Sequence, residues 1–251
     1  MGRSQGKSLA TGAPAQGVEA GYARFNTARL LQDSPFSYVC HRCTHCCRRF
    51  QIPLTPFDLL RLADYFGMTT TDVIEQHLDD NSSLQRRKDG ACKFLSAEGC
   101  AAHGGRPLVC RMYPLVRNVT ENREWFSVLE PVPDSSAVWG MEGTVAGYLE
   151  AQGALPSIEG YNMYSRLHYR IEQRFRQALA GAASTGKAKL QALNLGLSPR
   201  SILDPDPSIQ EYCNHHDLLV PSTLRHKAAC HVMAIEEWAD IKLKEMSHEQ
   251  V

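Results

Sequence analysis

The chain has 251 residues, with 27 lysines and arginines balanced by 27 aspartates and glutamates. Apolar residues make up 43% and charged residues 22% of the sequence, which is the composition of an ordinary globular protein. This balance excludes a wholly disordered chain, a collagen-like chain and a nucleic-acid binder driven by charge. No apolar run approaches the roughly 20 residues that a membrane helix needs, so we predict neither a nucleic-acid nor a membrane partner.

The first twenty residues are small, polar and rich in glycine and alanine. They lack the apolar core of a secretory signal, so we expect a cytoplasmic protein. We predict a flexible tail over residues 1–22, a cysteine-cluster metal-binding domain over 35–150 and a helical C-terminal region over 151–251, with a linker at 182–189. The predicted fold class is mainly α with a small β-hairpin, a compact metal-centred cysteine-rich core preceding the helical C-terminal region.

Nine cysteines stand out, and seven of them fall between residues 40 and 110. An odd number cannot pair completely, and a reducing compartment favours metal binding over disulfides. Cys40, Cys43 and Cys46 are each separated by two residues, which lets two thiolates reach one metal from a tight turn. The adjacent Cys46 and Cys47 are expected to point in different directions and therefore to serve two metal atoms.

Helix signals follow the first cysteines. Thr55 precedes a proline, and Asp58 stands at the third helical position, so the sequence predicts a helix over residues 56–66 that stops at Gly67. A second short helix is predicted over residues 72–78.

The N-cap of that second helix is predicted to be Thr70 or Thr71. Further along, residues 116–119 and 124–129 favour a β-hairpin, because β-branched and aromatic residues flank a short polar connection.

The remaining cysteines of the cluster are Cys92, Cys100 and Cys110, and glycines among them allow the backbone to wrap closely around a compact centre. Pro107 favours the start and Pro114 the end of a short helix that would carry Cys110.

Arg106 and Arg111 flank Cys110, and Tyr113 follows them. Several thiolates leave net negative charge even after metal binding, and a nearby guanidinium offsets it. The tyrosine offers a proton or a hydrogen bond. We therefore predict that Arg106, Arg111 and Tyr113 bind the cofactor; surface salt bridges for the arginines and a structural role for the tyrosine are the alternatives.

Two long helices are predicted in the second half of the chain, over about residues 160–181 and from Ser222 onwards. Ser208 and Glu211 match a capping box. Apolar residues recur at helical spacing, which indicates core packing. The two stripes are Tyr164, Leu167, Ile171, Phe175 and Leu179, and Leu224, Ala228, Val232, Ile235, Ala239 and Leu243.

A further group of potential ligands lies near the C-terminus. Its members are Cys213, His215, His216, His226, Cys230 and His231. Their spacing is not that of a zinc finger, and Cys230 lies beside the apolar stripe of the last helix. We therefore favour packed thiols and solvated histidines over a second metal site.

The number of cysteines limits which kind of metal centre the chain can hold. Seven cysteines exceed the four of one closed tetrahedral zinc site, so zinc would leave thiols spare or need a second site completed by His41, His45, His103 or water. A four-iron cluster (4Fe–4S) also takes four cysteines and leaves three for other roles. The count and the adjacent pair favour a multinuclear centre.

The cysteine pattern resembles that of a known family when it is combined with DGACKFL at 89–95, Cys100 and RPLVCRMYP at 106–114. This is the CxxCxxCC putative zinc- or iron-chelating domain family, often described as iron–sulfur-cluster-containing proteins, which includes the flagellin lysine N-methylases. The likeness covers about residues 36–150. It implies the metal ligands Cys40, Cys43, Cys46, Cys47, Cys92, Cys100 and Cys110.

Three functions follow as hypotheses. The first is an iron–sulfur protein with a redox or methyl-transfer role. The second is a non-enzymatic zinc-stabilised module whose C-terminal helices bind a protein partner. The third is a protein lysine N-methylase that uses S-adenosylmethionine, although the sequence contains no recognisable nucleotide-binding loop.

Overall fold

The structure is a computed structural model that describes residues 29–80, 82–120, 123–179 and 202–248. The predicted tail over residues 1–22 and the predicted linker over 182–189 lie outside these residues. Contacts divide the chain into two compact units, and each unit is assembled from separate segments. Unit 1 comprises Met1–Phe50, Arg86–Gly99 and Arg111–Gly153, and unit 2 comprises Gln51–Gln85, Cys100–Cys110 and Ala154–Val251. The predicted domain division near residue 150 stays a prediction.

Strands and short helices alternate in the first half of the chain, and longer helices follow in the second half. In chain order the described elements are β1 (Pro35–Val39), α1 (His45–Arg49), α2 (Pro56–Phe66), α3 (Thr70–His77), β2 (Leu95–Ser96), β3 (Gly99–Cys100), α4 (Leu108–Met112), β4 (Leu115–Val119), β5 (Glu124–Val128), β6 (Val138–Thr144), α5 (Val145–Ala151), α6 (Leu155–Leu179), α7 (Pro205–His215) and α8 (Leu224–His248).

The described part of the chain is mainly helical, as predicted, but it contains more strand pairing than the single predicted hairpin. Three two-stranded antiparallel sheets are present, β1–β6, β2–β3 and β4–β5. The predicted hairpin is confirmed as β4–β5, with Leu115 opposite Val128. Strand β6 (VWGMEGT) has no buried residue and no apolar alternation, so it gave no strand signal in the sequence. That a metal lies at the centre of the cysteine-rich part stays a prediction.

Strand β1 organises the aromatic core of unit 1. Phe36 and Tyr38 alternate inwards and are buried, while their neighbours face outwards. The ring of Tyr38 packs edge-on against Tyr113, Trp139 and Tyr148, with ring centroids 5.8, 4.9 and 6.3 Å away. These edge-to-face contacts place the end of β1, where the first cysteine follows, on a rigid support.

Helix α2 in unit 2 confirms the sequence prediction in detail. The Thr55 side chain accepts a hydrogen bond from the Asp58 nitrogen, and the Asp58 carboxylate accepts one from the Thr55 nitrogen. The helix ends at Gly67, whose φ of 65° lies in the left-handed region that glycine adopts without a steric penalty.

The predicted cap of helix α3 was wrong. Thr69 is the N-cap, because its hydroxyl lies three residues before Asp72 and completes a second reciprocal capping box with it. Thr70 and Thr71 instead donate their hydroxyl protons to the Asp204 carboxylate, at 2.5 and 2.7 Å. This contact joins the start of α3 to the residue that precedes α7.

Helix α7 also starts earlier than the predicted capping box. Pro205 is its first residue and Asp204 its N-cap, so Ser208 lies inside the helix. A proline is favoured at the first helical position, because the nitrogen there needs no hydrogen bond within the helix.

The two long helices are confirmed, with α6 beginning five residues earlier and α8 two residues later than predicted. Buried members of the predicted stripes include Leu167, Phe175, Ala228, Val232, Ile235 and Ala239. Helix α6 approaches α2 at Gly160, where an added Cβ would lie 2.2 Å from the ring of Phe57. Among the described residues, no helix is long and apolar enough to span a membrane.

Candidate metal centre

The first four cysteines lie on a tightly curled segment between β1 and α1. Arg42 and Thr44 have φ values of 56° and 65°, and these left-handed conformations reverse the chain direction. The backbone nitrogen of Arg42 donates to the Sγ of Cys40 at 3.4 Å. Helix α1 then carries Cys46 and Cys47, and none of its five residues is buried. Apolar burial therefore does not explain why this segment is ordered.

The Sγ atoms of Cys46 and Cys47 lie 3.9 Å apart. The expectation that these adjacent side chains point in different directions is not met, because their two sulfurs approach each other. In a tetrahedral site with metal–sulfur bonds of about 2.3 Å, two sulfur ligands lie about 3.8 Å apart. The observed separation therefore suits two ligands of a single metal atom.

Cys92 belongs to the same part of unit 1. Its backbone nitrogen donates to the carbonyl oxygen of Cys47 at 2.8 Å. Cys92 also forms an isolated antiparallel bridge with Arg86. The segment that carries Cys92 is thus hydrogen-bonded directly to the helix that carries the adjacent cysteine pair.

Arg86 fixes this arrangement, and sequence reasoning missed it. Its guanidinium donates to the carbonyl oxygen of Phe50 at 2.5 Å and also to the carbonyl oxygens of Arg48 and Gly90. One planar group therefore ties the C-terminal end of α1 to the turn before Cys92. No local pattern signals this role, since Arg86 lies 36 residues from Phe50.

Two tyrosines lie beside the first cysteines. Burial, together with a smaller effect from the charge of nearby Cys46, raises the pKa of Tyr113 to about 12. Burial also raises the pKa of Tyr38 well above its ordinary value, with smaller effects from Tyr113 and Cys40. Both hydroxyls therefore keep their protons and can donate hydrogen bonds at neutral pH. That Tyr113 binds a cofactor stays a prediction, but its position beside these thiols is compatible with that role.

Two thiols of this segment, those of Cys47 and Cys92, have shifted pKa values. The pKa of Cys47 is lowered to about 7, mainly by a hydrogen bond from Cys46 and to a smaller extent by the charge of Arg48. Burial raises the pKa of Cys92, while Arg86 and Arg87 oppose that rise. Arginines do accompany these thiols, but they are ones that the sequence did not single out.

The two arginines predicted to bind the cofactor make other contacts. Arg111 is buried, and its Nη1 donates to the carbonyl oxygen of Gln152 at 3.1 Å, which ties α4 to the end of α5. The Nη1 of Arg106 contacts the Nε2 of His103. Cofactor binding by Arg106 and Arg111 stays a prediction.

Cys100 and Cys110 lie in unit 2, whereas the other five cysteines of the cluster lie in unit 1. Helix α4 carries Cys110, which confirms the short helix predicted between the two prolines. Two of the nearby glycines, Gly104 and Gly105, pack closely against Tyr65: an added Cβ on Gly105 would lie 2.6 Å from the Cβ of Tyr65. The hydroxyl of Tyr65 donates to the carbonyl oxygen of Ala101 at 3.2 Å, so its ring covers this loop.

Among the described residues, no three cysteine sulfurs lie within 4.8 Å of one another. Across residues 29–80, 82–120, 123–179 and 202–248, the one group of three or more potential ligand atoms within 4.8 Å of one another is His215, His216 and Glu237. The cysteine-rich segment instead offers a close sulfur pair and three further thiols in the same unit. It also offers the Nδ1 of His45, which is buried and has no hydrogen-bond partner. These soft donors fit zinc or an iron–sulfur centre. Which cysteines are ligands stays a prediction.

The remaining two cysteines are packed thiols, as expected from the sequence. Cys213 and Cys230 are buried, with their Sγ atoms 3.6 Å apart. They belong to a core cluster with Phe57 and Ile209. Burial raises the pKa of Cys230 to about 12, which keeps it a neutral thiol.

One of the nearby histidines departs from the expectation that these residues are solvated. His231 is fully buried, and its Nδ1 lies 3.0 Å from the hydroxyl of Tyr164. It lies in a part of α8 where Ala228, Cys230 and Val232 are buried as well.

Comparison with known proteins agrees with the resemblance seen in the sequence. Residues 39–130 match the family model described as "CxxCxxCC: Putative zinc- or iron-chelating domain". The resemblance is therefore confirmed over this segment, which is less than half of the chain. Searches of curated proteins and of solved structures found no match. Over residues 39–130 the chain is therefore similar to a family of domains described as zinc- or iron-chelating.

Proposed function

We propose that the chain is a metal-binding protein whose cysteine-rich segment holds an iron–sulfur centre with a redox role. The family description covers both iron and zinc. Seven cysteines are more than one zinc ion uses, and thiolates are the usual ligands of iron–sulfur clusters. Five of the seven lie in one compact unit.

The thiol arrangement at α1 supports metal binding itself, while the number of thiols favours an iron–sulfur centre over a single zinc ion. The sulfurs of Cys46 and Cys47 lie 3.9 Å apart, and the Cys92 backbone is hydrogen-bonded to that of Cys47 at 2.8 Å. A helix with no buried residue needs another source of order, and metal binding supplies folding free energy in such segments. The thiolates of Cys46, Cys47 and Cys92 would be the first ligands.

The surrounding residues suit an electron carrier. A bound iron–sulfur cluster supplies a site that gains and loses single electrons. The hydroxyl of Tyr113, which accepts a hydrogen bond from Tyr38, can donate its own proton to sulfur, and Arg48 and Arg86 offset the negative charge of the thiolates. Both effects stabilise a reduced, more negative centre and so raise its reduction potential.

Spectroscopy tests this proposal. Anaerobically purified protein should show sulfur-to-iron charge-transfer absorption and a paramagnetic signal in one redox state. Cys46→Ser and Cys47→Ser should each lose most of that absorption, whereas Cys213→Ser, which changes a packed thiol, should keep it. A colourless wild-type protein that contains only zinc would contradict the proposal.

A structural zinc site is the second candidate, and the sulfur separation at α1 favours it. A distance of 3.9 Å matches two ligands of one tetrahedral ion, and the unpartnered Nδ1 of His45 offers a nitrogen ligand nearby. Zinc would then stabilise the loops of unit 1 without any redox chemistry. In this case a chelator should abolish the protection of residues 40–50 from hydrogen exchange, and oxidants and reductants should leave the absorption spectrum unchanged. Full protection after complete metal removal would contradict both candidates.

A further inference from the structure

We propose that His215, His216 and Glu237 form a second metal site, separate from the cysteine centre, which takes a divalent transition metal such as Zn²⁺. The site would link the C-terminal end of α7 to the middle of α8. It does not depend on the function proposed above.

The ligand atoms already converge. The Nε2 of His216 lies 2.7 Å from one carboxylate oxygen of Glu237, and the Nδ1 of His215 lies 3.4 Å from the other. All three residues offer ligand atoms within 4.8 Å of one another. In a tetrahedral zinc site with bonds of about 2.0–2.1 Å, neighbouring nitrogen and oxygen ligands lie about 3.4 Å apart. The His216–Glu237 hydrogen bond has to open by less than about 1 Å to admit the ion, and the remaining ligand atoms already lie within 4.8 Å of one another.

The backbone explains how two consecutive histidines face the same point. His215 is the last residue of α7, and His216 is its C-cap, with φ −102° and ψ 9° outside the helical range. Their ring centroids lie 4.8 Å apart. The ring of Tyr212 packs on that of His216 at 4.4 Å and limits its rotation. The side chain of His216 therefore has less freedom to lose when a metal binds.

The core of unit 2 holds the two helices in place. Ile209 and Cys213 of α7 pack with Ala228 and Cys230 of α8 in one buried cluster. The positions of the histidines and of Glu237 are therefore set by apolar packing and not by the polar contacts themselves. A site with ligands on rigid elements is preorganised for its ion.

The chemistry of the three residues suits zinc. Two imidazoles and one carboxylate are a known zinc ligand set, which leaves a fourth position for water. The partial negative charge at the C-terminal end of α7 also favours a cation there. The side chains of His215, His216 and Glu237 are 72%, 38% and 32% exposed, so an ion can enter from solvent. A simple ion pair between protonated histidines and Glu237 is the alternative.

Histidine-ring NMR signals measure binding at this site even if zinc also binds the cysteines. Zn²⁺ is titrated into anaerobically purified full-length protein, and the ring signals of His215 and His216 are assigned from His215→Gln and His216→Gln. We expect both signals to shift together in the wild type. Glu237→Gln should raise the zinc concentration needed by more than about tenfold, since loss of outer-shell partners alone costs that much. His226→Gln is the matched control, because this exposed histidine lies roughly 16 Å away along α8.

The possible results either support or overturn the second metal site. A joint shift that needs Glu237 and survives His226→Gln supports the site, provided that Glu237→Gln keeps the wild-type circular dichroism spectrum. If the variant does not fold, loss of the His215 shift in folded His216→Gln supports it equally. Ring signals that do not respond to excess zinc, or that respond equally in wild type and Glu237→Gln, would show an ion pair only and overturn the proposal.

Discussion

The carboxylate of Asp58 accepts a hydrogen bond from the backbone nitrogen of Leu108 at 2.8 Å. The same carboxylate accepts from the backbone and the hydroxyl of Thr55, at 3.0 and 2.7 Å. One buried side chain thus caps α2 and also the start of α4, which carries Cys110. Burial raises the pKa of Asp58, and the three hydrogen bonds oppose that rise.

Replacing Asp58 should destabilise the protein considerably. Asp58→Ala removes both caps and leaves the buried Leu108 nitrogen without its partner, so we expect a loss of about 2–4 kcal/mol in the free energy of unfolding. Urea unfolding measures it. Asp72→Ala is the matched control, because Asp72 forms the same reciprocal box with Thr69 at an exposed helix start. Equal losses in the two variants would show that the contact with Leu108 contributes nothing.

This pair of boxes shows what local sequence can and cannot predict. Thr55, Asp58 and Gly67 determine α2 through contacts within a few residues, so the pattern predicted its ends correctly. The hydrogen bond from Leu108 spans 50 positions and has no local signature. Thr69 was missed as a cap because three consecutive threonines compete for that role, and only tertiary contacts with Asp204 separate them.

The same distinction between local sequence patterns and contacts distant in sequence applies to the candidate metal centre. Cysteine spacing and the family resemblance predicted a metal centre, and the family match agrees. Arg86, which ties α1 to the segment that carries Cys92, was not predicted, because it acts on carbonyl groups far away in sequence. The approach of the Cys46 and Cys47 sulfurs depends on side-chain rotamers, which the spacing of the residues does not determine.

Loss of the Arg86 guanidinium should weaken metal binding without removing any ligand. In Arg86→Ala, three carbonyl groups lose a charged donor, so we expect metal affinity to fall by about 10- to 100-fold. Competition with a chromogenic chelator measures the affinity. Arg49→Ala, which removes an exposed arginine from the same helix, should leave it unchanged. An Arg86→Ala protein with wild-type affinity would mean that the α1 segment is held in some other way.

Acid should destabilise the protein through His231. Burial lowers the pKa of this histidine to about 4, against about 6.5 in the unfolded chain. The unfolded state therefore binds more protons between these values, so the stabilising effect is complete above about pH 6.5 and is lost as pH falls towards 4. The slope from this residue reaches about 1.4 kcal/mol per pH unit.

Urea unfolding at a series of pH values tests this prediction. His231→Gln should flatten the dependence over that range, whereas His168→Gln, at an exposed position on α6, should not. The wild type and both variants carry the same cysteine centre, so the pH dependence of that centre cancels when their slopes are compared. Identical slopes in wild type and His231→Gln would rule out this histidine as the source.

The two packed cysteines should affect stability but not metal content. Cys213→Ala and Cys230→Ala each remove a buried sulfur from a close pair and should cost about 1–2 kcal/mol. Their metal content should match that of the wild type, while Cys46→Ser loses metal. Mass spectrometry of the intact protein under native conditions gives the metal count. A metal loss in Cys213→Ala as large as that in Cys46→Ser would place the C-terminal thiols in the centre.

Metal analysis of the anaerobically purified full-length protein tests the central claim most directly. Iron, zinc and acid-labile sulfide are measured together in wild type and in the Cys46→Ser, Cys47→Ser double variant. The account predicts that iron and sulfide are bound to the wild type and largely absent from the double variant. If the wild type instead contains zinc without sulfide, and the double variant loses that zinc, the centre is a zinc site and not an iron–sulfur centre. A folded wild-type protein that binds neither metal, or that loses none in the double variant, would contradict the assignment of these cysteines as a metal centre.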